Sequence, residues 1–167
     1  MIDGIIFDLD GTLWDSTDEV ARAFNKVLTD KHPEVKEVVT PELLKGLFGL
    51  PLDVIAVRLY RSVSEELAIK VMQECCDYEV TYLAEHGATL YDGLEESLQK
   101  LSERCKLFIV SNCQEGYIQC FFEAYPHLRQ YFTDFEYPGR SGKLKADNIR
   151  LIMERNMLKD PIYVGDT

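Results

Sequence analysis

The chain has 167 residues, 46% of them apolar, which suffices for one well-buried domain with a modest insertion. A formal net charge of -11 argues against sequence-independent nucleic-acid binding, which needs Lys and Arg to neutralise phosphates. The longest apolar runs fall far short of a membrane span, no basic segment precedes an apolar one at the N-terminus, and five Cys without metal-ligand spacing fit reduced thiols, so a cytoplasmic location is expected.

The first element is an apolar run, Ile5-Ile6-Phe7, which reads as a buried strand ending in Asp8-Leu9-Asp10-Gly11-Thr12. Side chains alternate along a strand, so two carboxylates one residue apart are expected on the same side of the backbone. Two like charges so placed repel, and such a site usually holds a cation or keeps one carboxyl protonated. Gly11 would let the backbone turn sharply.

From Ser16 to about Gly87 the pattern is helical throughout. Ser16 with Glu19 predicts a capping box, with Ala21, Phe24 and Leu28 along the buried face. Thr40-Pro41-Glu42 predicts a second start. Leu52, Ile55 and Leu59 mark a third helix beginning near Pro51. Ser64 predicts the cap of a long fourth helix, with Leu67, Val71, Tyr78 and Tyr82 on its apolar face and Gly87 as its stop. The vicinal Cys75-Cys76 pair reads as helix packing.

After about Leu90 the pattern alternates. Leu94, Leu98 and Leu101 predict an amphipathic helix, and Lys106-Leu107-Phe108-Ile109-Val110 a parallel strand buried on both faces. A helix through Tyr117 and Phe121 follows, then a strand over Thr133 to Glu136. A helix with Ile149, Ile152 and Met153 on one face leads to a last strand, Ile162-Tyr163-Val164, running into Gly165-Asp166-Thr167. Strand–helix alternation implies right-handed crossovers and a parallel sheet. The expected architecture is therefore an α/β core of residues 1–15 and 88–167, interrupted by an all-helical insertion over 16–87.

Ligands of open parallel sheets bind beyond the carboxyl ends of the strands. Here the first strand ends in Asp8 and Asp10, the second in Ser111-Asn112 and the fourth in Gly165-Asp166. Lys143 and Lys145 lie in the loop after the third. Three carboxylates, a hydroxyl, an amide and a cation would converge on one rim.

This set resembles the haloacid dehalogenase superfamily. Asp8-Leu9-Asp10-Gly11-Thr12 matches its first motif, Asp-x-Asp-x-Thr, and Ser111-Asn112 looks like the second. Lys145 or Lys143 is similar to the third, and Gly165-Asp166-Thr167 to the opening of the fourth. Lys145 stands directly before a helix, as that motif does, which favours it over Lys143. The helical block resembles the small cap of the phosphoglycolate phosphatase and β-phosphoglucomutase branch. The resemblance implies a Rossmann-like parallel sheet with an inserted helical cap. The family's fourth motif normally continues to a further strand and helix, so the edge strand beside the fourth strand is expected to be missing from this chain.

By this resemblance the chain is expected to be a phosphatase acting on a small phosphate monoester through an aspartyl phosphate. Asp8 would be the nucleophile, Asp10 the general acid and base, and Lys145 the offsetting cation. Mg²⁺ would be held by Asp8, the Asp10 backbone carbonyl and Asp166. Ser111, Asn112 and backbone amides around Gly11 and Thr12 would meet phosphoryl oxygens, and Thr12 would order the loop. Gly49, in the turn Phe48-Gly49-Leu50-Pro51-Leu52, would reach the substrate from the cap. Trp14, Phe48, Leu50 and Tyr60 would line a cap pocket or form cap core. The partner expected is a small molecule, with neither nucleic acid nor membrane, and the chain a monomer or weak homodimer. The rival readings are a phosphomutase, which would need a second cationic site in the cap, and a truncated non-catalytic binding relative.

Overall fold

The computed structural model describes residues 2–165. They form two compact units, Met1–Asp15 with Thr89–Thr167, and Ser16–Ala88.

The first unit is built on a parallel four-stranded sheet. Its strands are β1 (Gly4–Phe7), β4 (Lys106–Val110), β5 (Phe132–Glu136) and β6 (Pro161–Val164), ordered β5-β4-β1-β6. β1 lies centrally, pairing Phe7 with Ile109 on one side and with Val164 on the other. All four β1 residues are buried, as are Leu107 to Val110 of β4, which accounts for the unbroken apolar runs in the sequence. On one face Ile6, Phe108 and Val110 pack with Ile152, flanked by Ile149, Met153, Leu158 and Tyr163. The expected face of the helix α8 (Lys145–Arg155) is thus the one that meets the sheet. On the other face Phe132 packs edge-on to Phe7 at 6.3 Å and against Phe122 at 5.8 Å. Phe122 belongs to α6 (Tyr117–Ala124), and α5 (Leu94–Ser102) also packs against β4.

Two short strands close the stem of the insertion. β2 (Trp14–Asp15) pairs antiparallel with β3 (Thr89–Leu90), matching Trp14 with Leu90 and Asp15 with Thr89. Two-residue strands carry no periodicity, and the sequence pattern did not predict them. It also missed the 3-10 turn Pro126–Tyr131 and the one-turn helix α7 (Pro138–Ser141).

The second unit is all helical: α1 (Thr17–Lys31), α2 (Pro41–Lys45), α3 (Leu52–Leu59) and α4 (Glu65–His86). Thr40 and Ser64 cap α2 and α4, their hydroxyls accepting from Leu43 N and Leu67 N at 3.3 Å. Gly87, at φ 70°, ends α4, a conformation that a Cβ would strain. The predicted capping box at Ser16 does not form. Ser16 is αR and makes no side-chain cap bond, while the Glu19 carboxylate instead accepts from Arg22 and the Tyr82 hydroxyl at 2.9 and 3.1 Å.

The buried stripe of α4 also differs from the predicted one. It runs Ala68, Val71, Met72, Cys75, Cys76, Glu79 and Leu83, so only Val71 of the four named residues is buried. Tyr78 and Tyr82 sit at its edge, half-buried, and Tyr82 stacks on His86 at 4.1 Å. Cys75 and Cys76 are both buried and unbridged, as helix packing requires. Burial pushes the Cys75 thiol up to about 12 and Cys76 higher still, so neither is a reactive thiolate. Tyr60 is core, donating its buried hydroxyl to Cys75 Sγ at 3.4 Å. No helix among the described residues is long and apolar enough to cross a membrane.

Candidate active site

β1 ends at Phe7, so Asp8 and Asp10 lie in the turn beyond it and strand alternation does not govern Asp10. The turn is closed by its own amides. Leu9 O accepts from Leu13 N at 2.9 Å and, more weakly, from Thr12 N and Trp14 N at 3.3 and 3.4 Å. Gly11, at φ 74°, donates its N–H to Trp14 O at 2.9 Å. The turn needs that left-handed residue, and Gly supplies it without a steric cost. The Gly11 and Thr12 amides expected to face phosphoryl oxygens are therefore engaged in holding the loop.

Asp8 is buried, 5% exposed, and its backbone N–H donates to Val164 O at 2.8 Å, tying the end of β1 to the end of β6. Its Oδ1 accepts from Leu9 N at 2.8 Å. Its Oδ2 accepts from Lys145 Nζ at 2.5 Å. Lys145 is the first residue of α8, whereas Lys143 is exposed in the preceding loop. Of the two lysines, Lys145 is the one that meets Asp8. Burial alone would lower the Lys145 pKa, but interactions with Asp8 and with Tyr163 outweigh it and hold the group above its ordinary value.

Asp10 faces different donors. Its Oδ1 accepts from Trp14 Nε1 at 2.9 Å and from the Tyr117 hydroxyl at 2.8 Å. Neither donor was foreseen in this role. Trp14, read as pocket lining or cap core, is fully buried in the sheet-bearing unit, edge-on to Tyr117, Phe121 and Tyr125. Spacing carries a partial signal for Trp14, since a buried indole N–H needs an acceptor and Asp10 stands four residues back.

Ser111 and Asn112 follow β4, the strand beside β1. They do not cap the next helix, which starts at Tyr117 behind Gly116 at φ 87°. Ser111 is buried and its backbone N–H donates to Glu136 O at 3.4 Å, while Asn112 is exposed. Tyr163, on β6, completes the surroundings. Lys145 Nζ stands 5.2 Å from its ring centroid, and its buried hydroxyl lies beside Lys145 and Asp8. Asp166 and Thr167 lie outside the described residues. Gly49, at φ 89°, belongs to the helical unit, in the turn between α2 and α3.

Among the described residues no group of three His, Cys, Asp or Glu side chains is arranged to hold a metal. The donors present, Asp8 and Asp10, are all oxygen, which fits a hard divalent cation and not a soft one.

The fold recurs in solved structures. A predicted phosphatase from Clostridium acetobutylicum is 26% identical, with a TM-score of 0.75 over 99% of this chain and 76% of its own. A hydrolase of the haloacid dehalogenase-like family from Streptococcus pneumoniae is 24% identical, with a TM-score of 0.78 over 99% and 76%. A predicted phosphoglycolate phosphatase from Haemophilus somnus is 23% identical, with a TM-score of 0.77 over 99% and 77%. No curated protein sequence matches. The family model described as haloacid dehalogenase-like hydrolase matches residues 5–167. With that match spanning nearly the whole sequence and the sheet carrying its acidic turn where the motif requires it, the chain belongs to the haloacid dehalogenase-like hydrolases.

Proposed function

We propose that this hydrolase is a phosphatase acting on a small phosphate monoester, with Asp8 as the nucleophile. The observation that carries the reading is the pairing of a buried carboxylate with a single lysine, Asp8 Oδ2 to Lys145 Nζ at 2.5 Å, beside a second carboxylate held by separate donors. The two acids are thereby given different work. Asp8, with the Lys145 ammonium on one oxygen and the Leu9 amide on the other, is held in place and aimed. Asp10, which accepts from the neutral Trp14 indole and Tyr117 hydroxyl, is assigned the proton transfers.

In the first step an Asp8 oxygen bonds to phosphorus as the ester P–O bond breaks, and Asp10 delivers its proton to the leaving oxygen. In the second step Asp10 takes a proton from water, which attacks phosphorus and releases Asp8. Lys145 offsets charge on the Asp8 carboxylate, and the Ser111 hydroxyl and Asn112 amide bind phosphoryl oxygens. Asp8, the Asp10 carbonyl and Asp166 would hold Mg²⁺, which when bound supplies the charge neutralisation two anionic reactants need. Family membership and the likeness to a predicted phosphatase at 26% identity support phosphate over other leaving groups.

The test is phosphate release from a panel of monophosphate esters with Mg²⁺, comparing the chain with its Asp8→Asn variant. Release by the parent and none by the variant is expected. Equal release by both would remove Asp8 from the reaction.

A further inference from the structure

We propose that Gly139 is a positioning residue: by carrying no side chain, it lets the loop after β4, with Ser111 and Asn112, sit where it can meet a phosphoryl group. This rests on the phosphatase reading above and adds to it a residue outside the sequence motifs. Gly139 lies in α7, the one-turn helix between β5 and α8. Its backbone is helical, its φ is not positive and the residue is exposed, so neither conformation nor burial calls for glycine. Proximity does. A Cβ at this position would stand 2.5 Å from Glu115 N, 2.9 Å from the Gln114 carbonyl carbon and 3.2 Å from Glu115 Cα. All three are backbone atoms, so no side chain can swing away to make room. Non-bonded heavy atoms settle roughly 3.5 Å apart or more, and one of the two segments would retreat by about 1 Å.

The segment that gives way is the loop, because α7 is anchored. The carbonyl of the buried Tyr137 accepts from Arg140 N at 3.2 Å and Ser141 N at 3.1 Å, and Pro138 O accepts from Gly142 N at 2.8 Å. Arg140 Nε donates to the buried Glu136 carboxylate at 2.7 Å, and its guanidinium lies over the Phe135 and Tyr137 rings. Across the contact, residues 111–116 form neither helix nor strand. The backbone bonds at the two ends of that loop are long, 3.4 Å from Ser111 N to Glu136 O and 3.5 Å from Tyr117 N to Gln114 O. A Cβ on residue 139 therefore pushes on Gln114 and Glu115 and draws Asn112 and Ser111 out of place. Misplacing a group that holds the reacting phosphate by about 1 Å costs on the order of 10²-fold.

Gly139→Ala tests this with Mg²⁺ and whichever monophosphate ester the parent hydrolyses fastest, all constants being referred to the folded fraction seen by circular dichroism. We expect kcat/KM to fall by about tenfold to 10²-fold, and the competitive inhibition constant of inorganic phosphate to rise at least about fivefold, because the same loop would hold the product. In an Asn112→Ala background the substitution should cost no more than about twofold further, since the group it displaces is gone. A merely structural glycine would change the folded fraction and leave both constants within about twofold of the parent, which overturns the proposal. A full additional loss in the Asn112→Ala background overturns it too, as does a Gly139→Ala chain that does not fold, which would assign the contact to the fold. A parent that hydrolyses no ester removes the phosphatase reading and this proposal with it, whereas an unchanged Gly139→Ala in an active parent removes this proposal alone.

Discussion

Lys145 and Asp8 stand 137 positions apart in sequence and 2.5 Å apart in space, ammonium to carboxylate, with both side chains largely buried. The contact joins the start of α8 to the end of β1, so it organises the rim as well as its charge. Removing one partner of a buried pair leaves the other uncompensated, which is the expensive way to break it. Lys145→Met should therefore lower stability by about 3 kcal/mol and abolish turnover. Adding Asp8→Asn to it should recover much of that stability, because the stranded carboxylate is then gone. Chemical denaturation of the two single variants and the double variant reads the coupling, and strict additivity would mean that the pair is not energetically linked.

Asp8→Asn alone keeps the shape of the side chain and its bond from Leu9 N, at 2.8 Å in the parent. It removes the charge that attacks phosphorus. Hydrolysis should be abolished while the circular dichroism spectrum and cooperative unfolding persist. Turnover within about threefold of the parent would exclude Asp8 as nucleophile.

The sheet was legible because its strands are short, continuous apolar runs. Lys106–Val110 was read to the residue, since a strand buried on both faces has no polar interruption to blur its ends. The placement of the candidate residues was legible where a motif puts a residue at a strand end, as for Asp8 and Ser111. It was not legible where the candidate site is held by one hydrogen bond between distant elements. Nothing in the neighbourhood of Tyr117 distinguishes its hydroxyl from that of any other aromatic helix residue, and the bond to Asp10 exists only once α6 packs beside β1's turn. Ser16 and Glu19 show the opposite error. Their spacing satisfies the capping-box pattern, yet a better partner, the Tyr82 hydroxyl on α4, takes the Glu19 carboxylate. Local rules lose where tertiary contacts offer a competing bond.

Glu136 offers a pH-dependent test of the sheet's carboxyl edge. It is 3% exposed at the end of β5, accepting from Arg140 Nε at 2.7 Å, Arg155 Nη1 at 3.0 Å and Tyr137 N at 3.2 Å. Burial would raise its pKa, but these bonds outweigh burial and hold it below the ordinary 4.5. A carboxyl lowered on folding contributes stability above its unfolded pKa and loses it as pH falls through the folded value. Glu136→Gln should thus cost about 2 kcal/mol at pH 7, with the gap to the parent closing below about pH 4. A gap that stays constant across that window would assign the cost to packing and not to charge.

Asp10→Asn separates proton transfer from metal binding. The amide keeps a carbonyl oxygen that can accept from Trp14 Nε1 and Tyr117, which stand 2.9 and 2.8 Å away in the parent, so the turn should hold. It cannot donate an acidic proton to the leaving oxygen or take one from water. Both chemical steps should slow, with kcat down on the order of 10²–10⁴-fold. Since the ligand proposed there is the backbone carbonyl, the affinity for Mg²⁺ measured by calorimetry should stay within about threefold. Proton-dependent chemistry would then fall while the cation still binds. Affinity collapsing together with kcat would instead make the Asp10 side chain a ligand, and the division of labour between the two carboxylates would have to be redrawn.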